Sequence, residues 1–209
     1  TYELFASGQD EIFGLSWKDG TLTAIQFGEV THIKDTDGDG SADQFHALTN
    51  NWGYAEGHEF AFGSKHDRDG NIWVALGLSG SYKSHNLFRG WAVKVTPDGK
   101  MIPVCSGLRS PGGVAANAEG VMFTIESQGP WNGSCSLKHL KQDHFLGHPA
   151  SYNWYPFVVG LDAPAVEPKS NSRMQIEKKR VKELVPPAIL FPYIKMGRSI
   201  SGFQLDQTL

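Results

Sequence analysis

Long apolar runs are missing from this sequence. No stretch approaches the roughly 20 consecutive apolar residues of a membrane-spanning helix, which excludes such a span within the 209 residues given. An excess of one charge is missing too. Lysine and arginine number 19 against 22 aspartates and glutamates, with no basic stripe, so nucleic acid is not an expected partner. Only Cys105 and Cys135 carry thiols, in no metal or haem-attachment spacing. They read equally as one disulfide or as two small buried side chains. A signal peptide, an initiating methionine and a cytochrome motif are all lacking. The chain enters β-like sequence at Thr1 and reads as a processed or partial polypeptide, which leaves its compartment open.

Helical spacing is scarce, whereas glycine (24) and tryptophan (6) are plentiful, a balance that favours an all-β protein with many turns. Three turns end in glycines 50 residues apart: Lys18-Asp19-Gly20, Arg68-Asp69-Gly70 and Ala118-Glu119-Gly120. Each sits between two short apolar stretches, IFGLSW and LTAIQFG, FAFGS and IWVALG, GGVAA and VMFTI. Asp-Gly between β-rich runs is a hairpin signal, and THIKD and WAVKVTPDGK supply further strands. A period of this length built from short strands predicts a β-propeller of four-stranded blades. Residues 1–150 hold about three such units. Residues 151–197 lose the repeat, with proline, mixed charge and a candidate helix near Met174 to Leu184, and are expected to be an inter-blade insertion. Residues 198–209 resemble the start of a further blade, so the chain is expected to cover only part of a ring and to be the remainder of a longer polypeptide or assembly.

One loop stands out chemically. Asp35, Asp37, Asp39 and Asp43 surround Gly40 and Ser41 in DTDGDGSAD. Carboxylates at alternate positions, a glycine for the sharp turn and the Ser41 carbonyl form a set of hard oxygens suited to calcium, which takes six to eight. The match to an EF-hand fails at His46, where a bidentate glutamate belongs, and no helical pattern flanks the loop. A calcium loop between strands is therefore expected, against the alternative of a solvated Asp/Gly turn.

Three segments carry a family resemblance. Gly57-His58-Glu59-Phe60-Ala61-Phe62-Gly63 runs towards Asp69-Gly70-Asn71-Ile72-Trp73. Gly107-Leu108-Arg109-Ser110-Pro111-Gly112-Gly113 follows, and then Glu126-Ser127-Gln128-Gly129-Pro130-Trp131. Their order and character resemble the soluble quinoprotein glucose/sorbosone dehydrogenases, six-bladed propellers that bind pyrroloquinoline quinone (PQQ) and calcium. The DTDGDGSAD loop resembles most the bacterial branch of that superfamily whose members go by the name membrane-bound dehydrogenase. The resemblance spans roughly residues 10 to 150, and KMGRSISGF also looks like a blade entry. Ser110 stands where the family has asparagine, and Gly57 where it has an acidic residue.

The resemblance implies that His58 is the general base towards a saccharide or alcohol hydroxyl. Arg109 and Gln128 would contact PQQ, and the Gly129 and Pro130 carbonyls would hold an active-site calcium. It further implies a periplasmic or extracellular protein that passes electrons to a separate acceptor. The same residues admit plainer roles, His58 as a strand-entry residue, Arg109 as a donor to loop carbonyls and Gln128-Gly129-Pro130 as a turn. Two alternative functions follow, a calcium-stabilised binding or scaffold propeller and a lyase on the same scaffold. His139, His144 and His148 are spaced like metal ligands, but they read better as two surface positions and a blade exit.

Overall fold

The computed structural model describes residues 2–55, 58–78 and 84–206. The first sheet is an antiparallel meander of β1 (Ile12–Lys18), β2 (Thr21–Gln26), β3 (Val30–Lys34) and β4 (Gln44–Thr49). The second repeats the pattern with β5 (Ala61–His66), β6 (Ile72–Leu76), β7 (Trp91–Val95) and β8 (Met101–Ser106). The third contains β9 (Pro111–Ala116), β10 (Met122–Glu126) and β11 (Cys135–His139), completed by β12 (Ile189–Phe191). These three four-stranded sheets are blades of a partial β-propeller.

Blades stack face to face, so a middle blade must be apolar on both sides. Along β6, Ile72, Val74 and Leu76 pack with Ile25 and Val30 of the first blade and with Trp91 and Val93. Ala75 turns the other way and joins Ala92, Val104 and Cys105 against Met122 of the third. This explains why IWVAL reads as an unbroken apolar run rather than an alternation. The innermost strands approach too closely for side chains between them. A Cβ at Gly14 would sit 2.4 Å from the Gly63 carbonyl oxygen, and one at Gly112 would sit 2.5 Å from that of Ile200. Residues around Ile200 thus lie beside β9, as β5 lies beside β1, although 198–206 form no strand.

The long stretch between β11 and β12 is an excursion within the third blade, between its third and fourth strands. It first runs parallel to β8, with Phe145 bridged to Ser106. It continues through a 3₁₀ stretch, Pro149–Phe157, and α1, Met174–Arg180. The Trp91 indole donates to the Ser151 carbonyl (2.9 Å), and the Trp154 indole donates to that of Arg89 (3.1 Å). Tyr155 shares a 2.6 Å hydrogen bond with Ser106. Trp154 and Tyr155 are therefore core residues binding the excursion to the second blade. Cys105 and Cys135 are separate buried thiols, and burial pushes the Cys105 thiol up to about 12.

Candidate functional site

Strand direction decides which loops meet. The Lys18 ammonium lies 3.8 Å from where a Cβ of Gly70 would be, and the Arg68 guanidinium nitrogen lies 3.2 Å from that of Gly120. The three repeated turns therefore share one end of the propeller. The opposite end collects His58, just before β5, Arg109, just before β9, and the 127–134 turn after β10. Gly77 joins the first two, since a Cβ there would lie 3.5 Å from the His58 carbonyl oxygen and 3.6 Å from the Pro111 ring. Leu78 N–H donates to the Arg109 carbonyl (2.8 Å).

The His58 imidazole is exposed at this end, edge-on to Phe60 with ring centroids 5.7 Å apart. Its neighbour Glu59 points inward and is buried. That carboxylate accepts from Ala55 N–H (2.7 Å), from the Asn86 amide (2.6 Å) and from the Ser84 hydroxyl. Buried Arg89 lies alongside, Nε 3.9 Å from Glu59 Oε2. Arg89 donates to the carbonyls of Gly53 (2.8 Å), Phe60 (3.0 Å) and Phe27 (2.8 Å). Desolvation brings its guanidinium down to about 10, partly offset by Glu59. His58 thus stands on a polar anchor that the sequence hides, because Glu59 and Arg89 look like ordinary surface charges. Gly57 lies outside the described residues.

The Arg109 loop has its own anchor. Glu126, wholly buried, accepts from the backbone N–H of Arg109 and of Ser110 (3.0 Å) through Oε1. Its other oxygen pairs with buried Lys138, whose ammonium also donates to the Leu146 carbonyl (3.0 Å). The half-buried Arg109 guanidinium donates to the carbonyls of Gln128 (2.9 Å) and Ser127 (3.5 Å). It lies so flat on Gly129 that a Cβ there would come within 2.3 Å of Cζ. Gly129 in turn exchanges hydrogen bonds with Asn132, 2.7 Å by its N–H and 3.0 Å by its carbonyl. His58, Arg109 and the Gln128-Gly129-Pro130 turn are therefore brought to one end of the inner strands, with Gln128 engaged through its backbone carbonyl.

These residues fit an anionic planar group better than a cation. A guanidinium resting on the turn would repel a calcium ion on the Gly129 and Pro130 carbonyls, and the Gly129 oxygen already accepts from Asn132. The same guanidinium suits a carboxylate.

The acidic loop joins β3 to β4 and lies at the other end of the first blade, apart from His58 and Arg109. Ligand oxygens of Asp35, Asp37 and Asp39 fall within 4.8 Å of one another. Calcium–oxygen bonds of roughly 2.3–2.6 Å place opposed ligands about 5 Å apart, so this trio fits one ion. The loop is wound by its own carboxylates. Asp35 accepts from Gly40 N–H (2.9 Å) and Gly38 N–H (2.7 Å), which hold its carboxyl below the usual range. Ser41 N–H donates to Asp39 (2.8 Å). Asp43 falls outside that compact trio and takes Thr36 N–H (3.0 Å) and hydroxyl (2.6 Å). Among the described residues no other cluster of acidic, histidine or cysteine groups has this compactness. His139 and His144 lie ring to ring at 5.9 Å, whereas His148 is buried and caps the 3₁₀ stretch.

No helix among the described residues is long and apolar enough to cross a membrane. Solved structures with this fold include the calcium structure of Trichoderma reesei Carbohydrate-Active Enzymes Family AA12. Its TM-score is 0.58 at 16% identity, over 85% of this chain and 55% of that one. The soluble aldose sugar dehydrogenase of Escherichia coli, in the apo-form, matches with TM-score 0.50 and 17% identity, over 83% and 51%. The PQQ-bound aldose sugar dehydrogenase of Streptomyces coelicolor matches with TM-score 0.50 and 18% identity, over 69% and 49%. The chain spans about half the length of these structures, and at such identities the likeness establishes the fold alone. No curated protein matches the sequence. Residues 4–185 match the family described as "Domain of unknown function (DUF7133)", and the chain belongs to that family, on a sugar-dehydrogenase-like β-propeller fold.

Proposed function

We propose that the protein is the propeller portion of an exported quinoprotein that oxidises a saccharide or related alcohol. The observation that carries this reading is the exposed His58 imidazole at the same end as the Arg109 guanidinium and the 127–130 turn. His58 would accept the hydroxyl proton on an imidazole nitrogen as the carbon beside it becomes a carbonyl. PQQ held by Arg109 would supply the acceptor for the hydride from that carbon, its electrons passing on to a separate partner. Arg109 would hold the anionic edge of the ring system, oriented by Glu126 through its own N–H. Glu59 and Arg89 would keep the His58 segment from shifting.

The full-length protein, loaded with PQQ and assayed by dye reduction with aldoses, tests this. His58→Asn is expected to lower kcat by roughly 10²–10⁴-fold while PQQ still binds, as followed by its absorbance. Turnover unaffected by the substitution would overturn the assignment. A scaffold role is the second reading, favoured by the Arg109 guanidinium donating within its own fold. It predicts neither quinone binding nor turnover.

Calcium belongs in this reading at Asp35, Asp37 and Asp39, as a stabiliser remote from the chemistry. A calcium concentration a hundredfold above Kd is expected to raise stability by about 2.7 kcal/mol. Calorimetry should show Tm rising with calcium, falling with a chelator and not responding in Asp35→Asn. A Tm indifferent to calcium would return the loop to a solvated turn.

A further inference from the structure

We propose that the cavity between the 129–133 turn and the excursion is a subsite for the hydroxymethyl arm of a saccharide, with Glu177 accepting its hydroxyl. This rests on the saccharide reading above. The cavity has a volume of about 50 Å³, and its walls include Trp131, Asn171, Ser172, Met174, Glu177 and Leu184. At ~10–15 Å³ for each water-sized group, that is room for a short polar arm and not for a sugar ring.

Glu177 supplies the chemical reason for a ligand. It is 4% exposed, and its Oε2 is taken by Lys169 N–H (2.9 Å) and by the Arg180 guanidinium. Oε1 is buried with no hydrogen-bond partner. Hydrogen bonds from the Ser172 hydroxyl and the Lys169 N–H hold its pKa down, so it stays an anionic acceptor, and Oε1 is the one of its oxygens with lone pairs still open to the cavity. A buried acceptor left unmatched is costly, and a donor entering the cavity would remove that cost.

Arg180 already balances the charge of Glu177, so a metal ion would face a guanidinium, whereas a neutral hydroxyl meets no repulsion. The indole N–H of Trp131 is spent on the Pro168 carbonyl (2.8 Å), which fixes the ring as a wall against C–H groups. Met174 and Leu184 add apolar surface. Gly129, against which the Arg109 guanidinium rests, is also a wall of the cavity, so the cavity adjoins the Arg109 side of the proposed site.

D-Glucose and D-xylose differ by one hydroxymethyl group, which makes them the probes. Titrated into the full-length protein and followed by the NMR signal of the Trp131 indole, glucose should bind roughly tenfold more tightly than xylose. Glycerol alone should shift the same signal. Gly133→Leu extends a side chain where an added Cβ meets nothing within 4 Å, at the edge of the cavity. It is expected to equalise the two sugars with an unchanged Tm, and Glu177→Gln should reduce the preference. An indole signal unmoved by glycerol would mean that the cavity holds only water, and equal affinities in the unaltered protein would likewise overturn the subsite. Neither result touches quinone-dependent dye reduction, which decides the proposed activity separately.

Discussion

Lys138→Met is expected to destabilise the protein by about 3–5 kcal/mol, because it strands the Glu126 carboxylate in the interior without its counter-ion. For a chain of this size that is a fall in Tm on the order of 10 °C. Replacing a buried ion pair by apolar groups is often harmless, but here it would not be. Glu126 Oε1 also accepts the N–H groups of Arg109 and Ser110, which have to be satisfied as the chain enters β9. Lys138→Met combined with Glu126→Gln should therefore recover most of the loss, since the amide oxygen keeps the loop's acceptor and removes the charge. Lys138→Met with Glu126→Leu should recover little. Thermal unfolding of the four proteins checks the ordering. Equal recovery by both pairs would show that the backbone acceptor contributes nothing.

The same pair marks the boundary of what a single sequence discloses. The repeated turns at Gly20, Gly70 and Gly120 are legible because a hairpin turn is a local event with local residue preferences. Lys138 is not. In CSLKH an alternation of Ser, Leu, Lys reads as a strand with one wet face, yet both faces of β11 are covered and the lysine reaches back to a glutamate on β10. Likewise Ile189–Phe191 gives no sign of completing the third blade. It has three residues, it stands some fifty positions beyond β11, and only the tertiary pairing with Cys135–Leu137 makes it a strand. The acidic loop is readable as an oxygen cluster, but its distance from His58 follows from counting strands, which residues 35–43 cannot announce by themselves. Arg109 is readable as a loop donor, and Gly129 as a turn glycine. That the one lies flat upon the other, where the resemblance would put a cation, needs coordinates.

Arg89→Met should be the most damaging single change, costing about 4 kcal/mol or more. It removes the donors to three carbonyls, those of Gly53, Phe60 and Phe27, and leaves Glu59 without its nearest cation. Arg89→Lys keeps the charge, but one ammonium cannot span acceptors placed for a planar fork, so roughly half the loss should remain. The pH dependence has a definite sign. Because burial lowers the Arg89 pKa to about 10, the folded state binds this proton less tightly than the unfolded chain, and stability gains from it only as pH rises above about 10. At neutral pH the guanidinium is charged in both states, so the Arg89→Met penalty should be flat between about pH 6 and 9. The acidic loop proposed to hold calcium lies at the far end of the same blade stack. Its stabilisation should add to the Arg89 effect within about 0.5 kcal/mol, as for independent sites. Calorimetry of Arg89→Lys with and without calcium measures that sum directly. A larger coupling would mean that the loop and the Arg89 end are not independent, and the ion would then bear on the segment that carries His58.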